Sequence, residues 1–244
     1  MVADILTVMW KEWRGLFRQS GGRGLAAASF PAILLMAVVF PWLTGIDWLE
    51  DPLSLAACVL IPTLFAVLVV PDSFAGERER HTLPTLLSSR LSDRAILLGK
   101  MGVPVILGLA VTWTVLIVGW LTVNIVHWDG QVVLYTPTIA LADIALSVLM
   151  ASLASAAGVL FSLRAATAQD AMQSLTVALM VPGVALAGTG AIAGAALGPR
   201  LRDVLSNLEF AQVMLFAVAV IALLDVVVLM AAAARFRRDR LILD

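Results

Sequence analysis

Apolar and polar positions run along this chain in long blocks. Six apolar runs occupy about residues 26–45, 54–71, 101–126, 136–162, 173–197 and 211–234. Each is close to the roughly 20 residues a helix needs to cross about 30 Å of hydrocarbon. The pattern predicts six transmembrane helices, the third and fourth long enough to tilt or to extend past the bilayer. Pro31, Pro41, Pro62, Pro104 and Pro182 fall inside these runs. Neighbouring helices can satisfy the backbone groups that such prolines free. Ahead of the first run, Asp4, Thr7, Lys11, Arg14 and Arg18 recur every three or four residues. Leu6, Met9, Trp13, Leu16 and Phe17 fall on the opposite face. This is the pattern of a helix lying in the membrane interface over residues 1–22, with the chain turning inward at Gly21 and Gly22. A soluble helix packed on a partner would read similarly. Residues 199–210 predict a short amphipathic helix at the far surface. The longest polar interruption is Ser73 to Lys100, SFAGERERHTLPTLLSSRLSDRAILLGK. Four consecutive charges, Glu77 to Arg80, place it in water or against a polar partner.

Composition narrows the class. The chain is 61% hydrophobic and 14% charged, with a mean hydropathy of +0.99. Soluble domains are about 45–50% apolar and about 25% charged. The expectation is a single all-α polytopic membrane domain over 1–244. A net charge of -1 gives no reason to expect nucleic acid. Cys58, alone in an apolar block, excludes a disulfide framework. The N-terminal charges and the lack of a small-residue cleavage site predict that the first span stays in the mature protein.

Charge placement predicts orientation. Lys11, Arg14, Arg18, Arg23, Arg78, Arg80, Arg90, Arg94, Lys100, Arg164, Arg235, Arg237, Arg238 and Arg240 fall on one side, against Arg200 and Arg202 on the other. By the positive-inside rule both termini and the loops 73–100 and 163–172 are cytoplasmic. The expected location is the cell (inner) membrane. The outer loops are short and acidic, with Trp48 and Trp128 expected at the boundary. The arginines from Arg235 to Arg240 would fix topology and bind anionic lipid headgroups.

No catalytic set is visible. The only histidines, His81 and His127, fall on opposite sides. There is no HExxH, and Gly99-Lys100 is followed by Met101 rather than Ser or Thr, so neither a zinc protease nor a P-loop is present. The chain is expected not to be an enzyme and to carry no cofactor or metal of its own. Two acids lie in the spans, Asp143 and Asp225. A carboxylate there costs several kcal/mol unless protonated, paired or wet. They could form a cation or proton site, or they could bond to Ser147, Ser152, Ser155 or Thr112 on facing helices. Asp143 lies near enough to the outer interface to be wet. Gly190, Gly194 and Gly198 form a double small-xxx-small pattern suited to close helix approach.

The run Phe74 to Leu83, then Leu86-Leu87, Leu91-Ser92 and Ala95 to Lys100, resembles the first cytoplasmic loop of ABC-2 type transporter permeases. These are membrane subunits of ABC exporters. His81 stands where that family commonly has glycine, and Pro84 where it commonly has an acid. Pro84 suits the first turn of a helix, and Ser92 an N-cap for the third span. The resemblance implies a type V exporter-like fold and a permease dimer, homo- or heteromeric. Each permease would bind one cytoplasmic ATPase chain that holds ATP and Mg. It implies that the loop carries a coupling helix seated in an ATPase groove. Glu77, Arg78, Glu79 and Arg80 would make ionic contacts there, beside Thr82, and Leu83, Leu86 and Leu87 would fill its apolar part. It places span five with span one at the dimer interface lining the route, and implies that 199–210 re-enters the outer leaflet. The expected function is ATP-driven export of a hydrophobic or amphipathic substrate. The rival is an ATP-independent ion-coupled carrier or channel using Asp143 and Asp225. A third reading, cofactor export in cytochrome maturation, lacks a haem-ligand motif.

Overall fold

The structure is a computed structural model and describes residues 1–18, 21–179 and 210–236. Among these residues there are helices and no strands. Five helices are long and apolar enough to cross a membrane. They are span one (Gly24–Thr44), span two (Leu55–Glu79), span three (Asp93–Val126), span four (Pro137–Arg164) and the last span (Ala211–Arg235). The protein is an all-α polytopic membrane protein. A further helix covers 168–179. The rest of the expected fifth span lies outside the described residues. So do Pro182, Gly190, Gly194 and Gly198, the 199–210 segment, and Arg237, Arg238 and Arg240.

Span two is the most buried helix and the last span the least. Spans three and four both pack on span two, and the last span packs on span four. Two of the spans contain a π-helical turn, and each turn has a local cause. In span one the turn covers Leu35–Val39, just before Pro41. Proline has no N–H, so the carbonyl four residues earlier, on Ala37, loses its usual donor. The Thr122 hydroxyl of span three donates to that carbonyl at 3.2 Å. In span two the turn covers Asp72–Gly76, just after Pro71. Ser162 of span four satisfies it. Its Oγ accepts from the N–H groups of Phe74 (3.1 Å) and Ala75 (2.9 Å) and donates to the Pro71 carbonyl at 2.9 Å.

The N-terminal helix (Val2–Arg18) packs along the start of span three. Its covered side is Ile5, Val8, Met9, Glu12 and Leu16, at helical spacing. Leu6, Trp10 and Trp13 stay exposed as one apolar stripe. The amphipathic helix therefore has two apolar edges, one on the bundle and one free. The sequence reading had a single apolar face opposite a polar one, with Met9 and Leu16 directed at the membrane. Close contact depends on glycines in span three. A Cβ on Gly99 would stand 2.6 Å from Val8 Cβ, and one on Gly102 would stand 3.1 Å from Met9 Sδ.

At the end remote from this helix, Trp48 is fully buried. Its Nε1 donates to the Tyr135 hydroxyl at 3.2 Å, and that hydroxyl donates to the Leu116 carbonyl at 3.0 Å. A buried indole needs such a partner. Trp128 is exposed.

Candidate functional site

The family-like stretch Ser73–Lys100 sits at one end of the bundle, and it is more helical than a loop. Span two continues through the π turn to Glu79. A short helix covers Leu83–Leu87, with Pro84 in its first turn as expected. Span three begins at Asp93, with Ser92 as its N-cap, its side chain accepting from the Ala95 N–H at 3.3 Å. The expected cap is present, but the helix starts eight residues before the apolar run does.

Between the two helices the chain must reverse. Arg80 N–H bonds to the Gly76 carbonyl, and Thr82 N–H to that of Glu77 at 2.9 Å. His81, between them, has φ +56°. That is the left-handed conformation that favours glycine at helix ends. It gives a backbone reason for the glycine common here in the resembling family. The left-handed strain costs about 1–2 kcal/mol, and glycine's extra chain entropy returns about half of it. His81→Gly should therefore stabilise the fold by about 0.5 kcal/mol, raising the melting midpoint by about 1–2 °C. A lower midpoint would refute this account of the turn.

The four consecutive charges do not share one environment, which corrects the sequence reading. Glu77 is buried, at 6% exposure. Its Oε1 lies 2.6 Å from Lys11 Nζ and 3.1 Å from Lys100 Nζ. Lys100 is itself enclosed at 1% exposure. Its ammonium donates to the Ser73 carbonyl at 2.6 Å and to Glu12 Oε1 at 2.9 Å, and stands 4.9 Å from the Phe74 ring centroid. Arg78 turns toward span four and donates to the Leu163 carbonyl at 3.0 Å and to that of Ala165. It thus caps the last turn of span four, a favourable place for a cation. Only Glu79 and Arg80 face outward. Glu79 accepts from the Ala168 N–H at 3.4 Å, and Arg80 forms a two-pronged pair with Asp72 at 3.0 and 3.1 Å. The cause of the division is geometric. Successive helical residues differ by about 100°, so one side of a four-residue run must face the bundle.

Leu83 does not face outward either. Leu83 is buried in the core with Phe74, Ile96, Leu163 and Phe236, and Leu86 packs against that cluster. The Leu87 side chain lies outside the described residues. Thr82, Pro84, Thr85, Ser88 and Arg90 form the exposed surface of the short helix and its flanks.

Lys11, Glu12, Glu77 and Lys100 thus form one cluster joining the N-terminal helix to the ends of spans two and three. Partial burial acts to lower the Lys11 pKa, but the Glu77 hydrogen bond and the Glu12 and Glu77 charges outweigh it, and the net shift is upward. A raised folded-state pKa keeps its contribution intact below the ordinary lysine value and loses it only as pH rises through the higher one. The Lys11 pairing is therefore complete at neutral pH.

Sequence reasoning had no role for Glu12, Ser73 or Ser162; it counted Lys11 for the polar face of the N-terminal helix and for orientation, and Gly99 and Lys100 as part of the family-like run. One signal was present. Lys100 stands alone between apolar residues on both sides, and such a lysine needs a buried partner.

A family model, that of the ABC-2 type transporter, matches residues 3–191. The chain belongs to the ABC-2 type transporter family. The match takes in the N-terminal helix, spans one to four and the whole ion cluster. No curated protein matches the chain. It is thus a transport permease subunit, of a family that normally works with an ABC ATPase.

In this ABC-2 permease the two embedded acids occupy separate places. Asp143 is buried, at 2% exposure. It accepts from Ser54 Oγ at 2.9 Å and from Cys58 Sγ at 3.3 Å, both on the span-two side. None of the four expected hydroxyls serves it. Asp225 is also buried, beside Ser152 of span four, and its Oδ1 has no hydrogen-bond partner among the described residues. Nine residues of span four separate Asp143 from Ser152, about 13 Å along a helix, so the acids do not make one site.

Proposed function

We propose that this permease is the membrane half of an ATP-driven exporter, working as a dimer with two separate ATPase chains. The observation that carries the reading is the mounting of the short helix Leu83–Leu87. Its outer surface is free, and its inner residue Leu83 is locked into the core shared by spans two, three, four and the last span. A push on Thr85 from outside therefore reaches four spans through packed side chains. The same push reaches the N-terminal helix through Glu77, Lys100 and Glu12. This fits a rigid-body displacement of spans, of the shear or hinge kind.

In this reading the ATPase touches Thr82, Pro84, Thr85, Ser88 and Arg90, with Glu79 and Arg80 at the rim. Glu77, Arg78 and Leu83 hold the helix in place from within. Charged rims steer and orient docking, while central contacts hold it. The charged end is cytoplasmic, from the distribution of Lys and Arg. The described spans carry few charges, which favours a hydrophobic or amphipathic substrate.

The test is co-purification from native membranes in mild detergent. Wild type should bring down a soluble ATPase with Walker motifs. Thr85→Arg, at an exposed position, should bring down about tenfold less, a loss near 1.4 kcal/mol, with an unchanged melting midpoint. Equal recovery with both proteins would remove the short helix from the interface. Recovery with neither would remove the ATP-driven reading itself.

A further inference from the structure

At the same end of the bundle the N-terminal helix roofs a cavity of about 700 Å³. That is within the range of about 300–1,000 Å³ typical of ligand pockets. One part of the lining is charged: Lys11, Lys100 and Arg80 against Glu12, Asp72 and Glu77. The other part is apolar and runs into the bundle along Leu16, Leu25, Leu68, Val69 and Val103. Three cations face three carboxylates, so the charged part is neutral as a whole but polar in both senses. Lys11, Arg80 and Asp72 are each about half exposed, at 53%, 42% and 51% of their side chains, so they can take a further partner.

Two glycines in the lining point the same way. Gly99 and Gly102 on span three are explained by close helix contact. Gly15 and Gly24 are not: a Cβ on either would meet nothing within 4 Å. Glycine is among the poorest helix formers, and both stand within helices. What they do is leave the cavity wide.

We propose that this cavity holds one phospholipid with a zwitterionic, amine-bearing headgroup, taken from the leaflet that borders the charged end. Lys11 and Arg80 offer N–H donors to the phosphate. Asp72 and Glu12 offer carboxylate oxygens to the ammonium. An acyl chain lies along Leu25, Leu68 and Val103. A purely anionic headgroup would leave the carboxylates facing a like charge. The inference uses only the membrane placement of the bundle, so its failure leaves the ATPase reading standing, and the converse also holds.

The full-length protein is reconstituted in nanodiscs of equal parts phosphatidylethanolamine and phosphatidylglycerol, then released and weighed by native mass spectrometry. Wild type should retain a single phosphatidylethanolamine, preferred over phosphatidylglycerol by about fivefold or more. Gly15→Leu combined with Gly24→Leu narrows the cavity and should lower retention by about tenfold. Equal retention of the two lipids, or undiminished retention in the double variant, overturns the proposal. So does occupation by phosphoethanolamine added to lipid-free protein, which would make the ligand a soluble zwitterion. A photoreactive phosphatidylethanolamine gives a readout on wild type alone. Labelling concentrated at Leu16 or Leu25 supports the site, and labelling spread evenly over the lipid-facing helices overturns it.

Discussion

Lys100→Met should lower the melting midpoint of the detergent-solubilised permease by on the order of 10 °C. The expectation rests on what the ammonium leaves behind. Lys100 donates to the Ser73 carbonyl and to Glu12 Oε1, and its ammonium lies 3.1 Å from Glu77 Oε1 as an ion pair. An enclosed ammonium is expensive to desolvate, so the intact cluster need not be worth much against an apolar replacement of all its members. Removing one member is different. It leaves the Glu77 carboxylate, 8% exposed at the side chain, with Lys11 as its remaining cation. Breaking a buried pair in this way costs about 3–5 kcal/mol. A double-mutant cycle separates the two ideas. Glu77→Leu alone should also be severe, because it strands Lys100. The pair Lys100→Met with Glu77→Leu should recover part of the loss, since neither charge is then stranded. A single variant that melts with wild type, or a double variant that shows simple addition, would mean the cluster is not coupled as its geometry implies. Lys100→Arg should fall between, because a planar guanidinium cannot match three acceptors arranged around a compact ammonium.

The spans were legible because about twenty apolar residues in a row have few other uses. The five that are described begin and end within a few residues of the sequence reading on their apolar sides. The polar ends were not legible. Span two runs on to Glu79 and span three starts at Asp93, because charged residues can be helical once ion pairs and caps satisfy them. Hydropathy registers only where the lipid stops. The Ser92 cap and the first-turn proline were readable because both act within a few residues of chain. The fate of Glu77 was not. It depends on a π turn at Asp72–Gly76 that resets the face of the helix, and on Lys11, sixty-six residues away on another helix. The same limit explains Asp143. Its own span offered hydroxyls at Ser147 and Ser155, but those point elsewhere: Ser155 donates to the Met101 carbonyl, and Ser147 accepts from Trp113 Nε1. The acid turns instead to Ser54 and Cys58, a pairing that no local spacing encodes.

Gly99→Leu should detach the N-terminal helix, at a cost of about 3 kcal/mol, the upper part of the usual range for overpacking. Even a methyl group is too much at this position. A Cβ on Gly99 would meet Val8 Cβ and Cγ1 at 2.6 Å and the Ile5 carbonyl oxygen at 3.2 Å. Val8 is itself buried at 2% exposure and has no room to retreat. The helix must therefore move as a body, and Glu12, one turn further along it, moves away from Lys100. The sequence neighbours Gly99 and Lys100 thus serve one contact: the glycine admits the helix and the lysine binds it. Hydrogen exchange should rise across residues 2–18 in Gly99→Leu while the far end, around Trp48 and Tyr135, keeps wild-type protection. Val8→Gly should rescue Gly99→Ala in part, because it removes both 2.6 Å contacts at the expense of helix propensity. It should not rescue Gly99→Leu, whose longer side chain still meets the Ile5 backbone. Unchanged exchange over residues 2–18 in the leucine variant would show that the helix is held by the ion cluster alone. Rescue of the alanine variant without rescue of the leucine variant would show instead that the steric fit comes first and that the ion pairs depend on it.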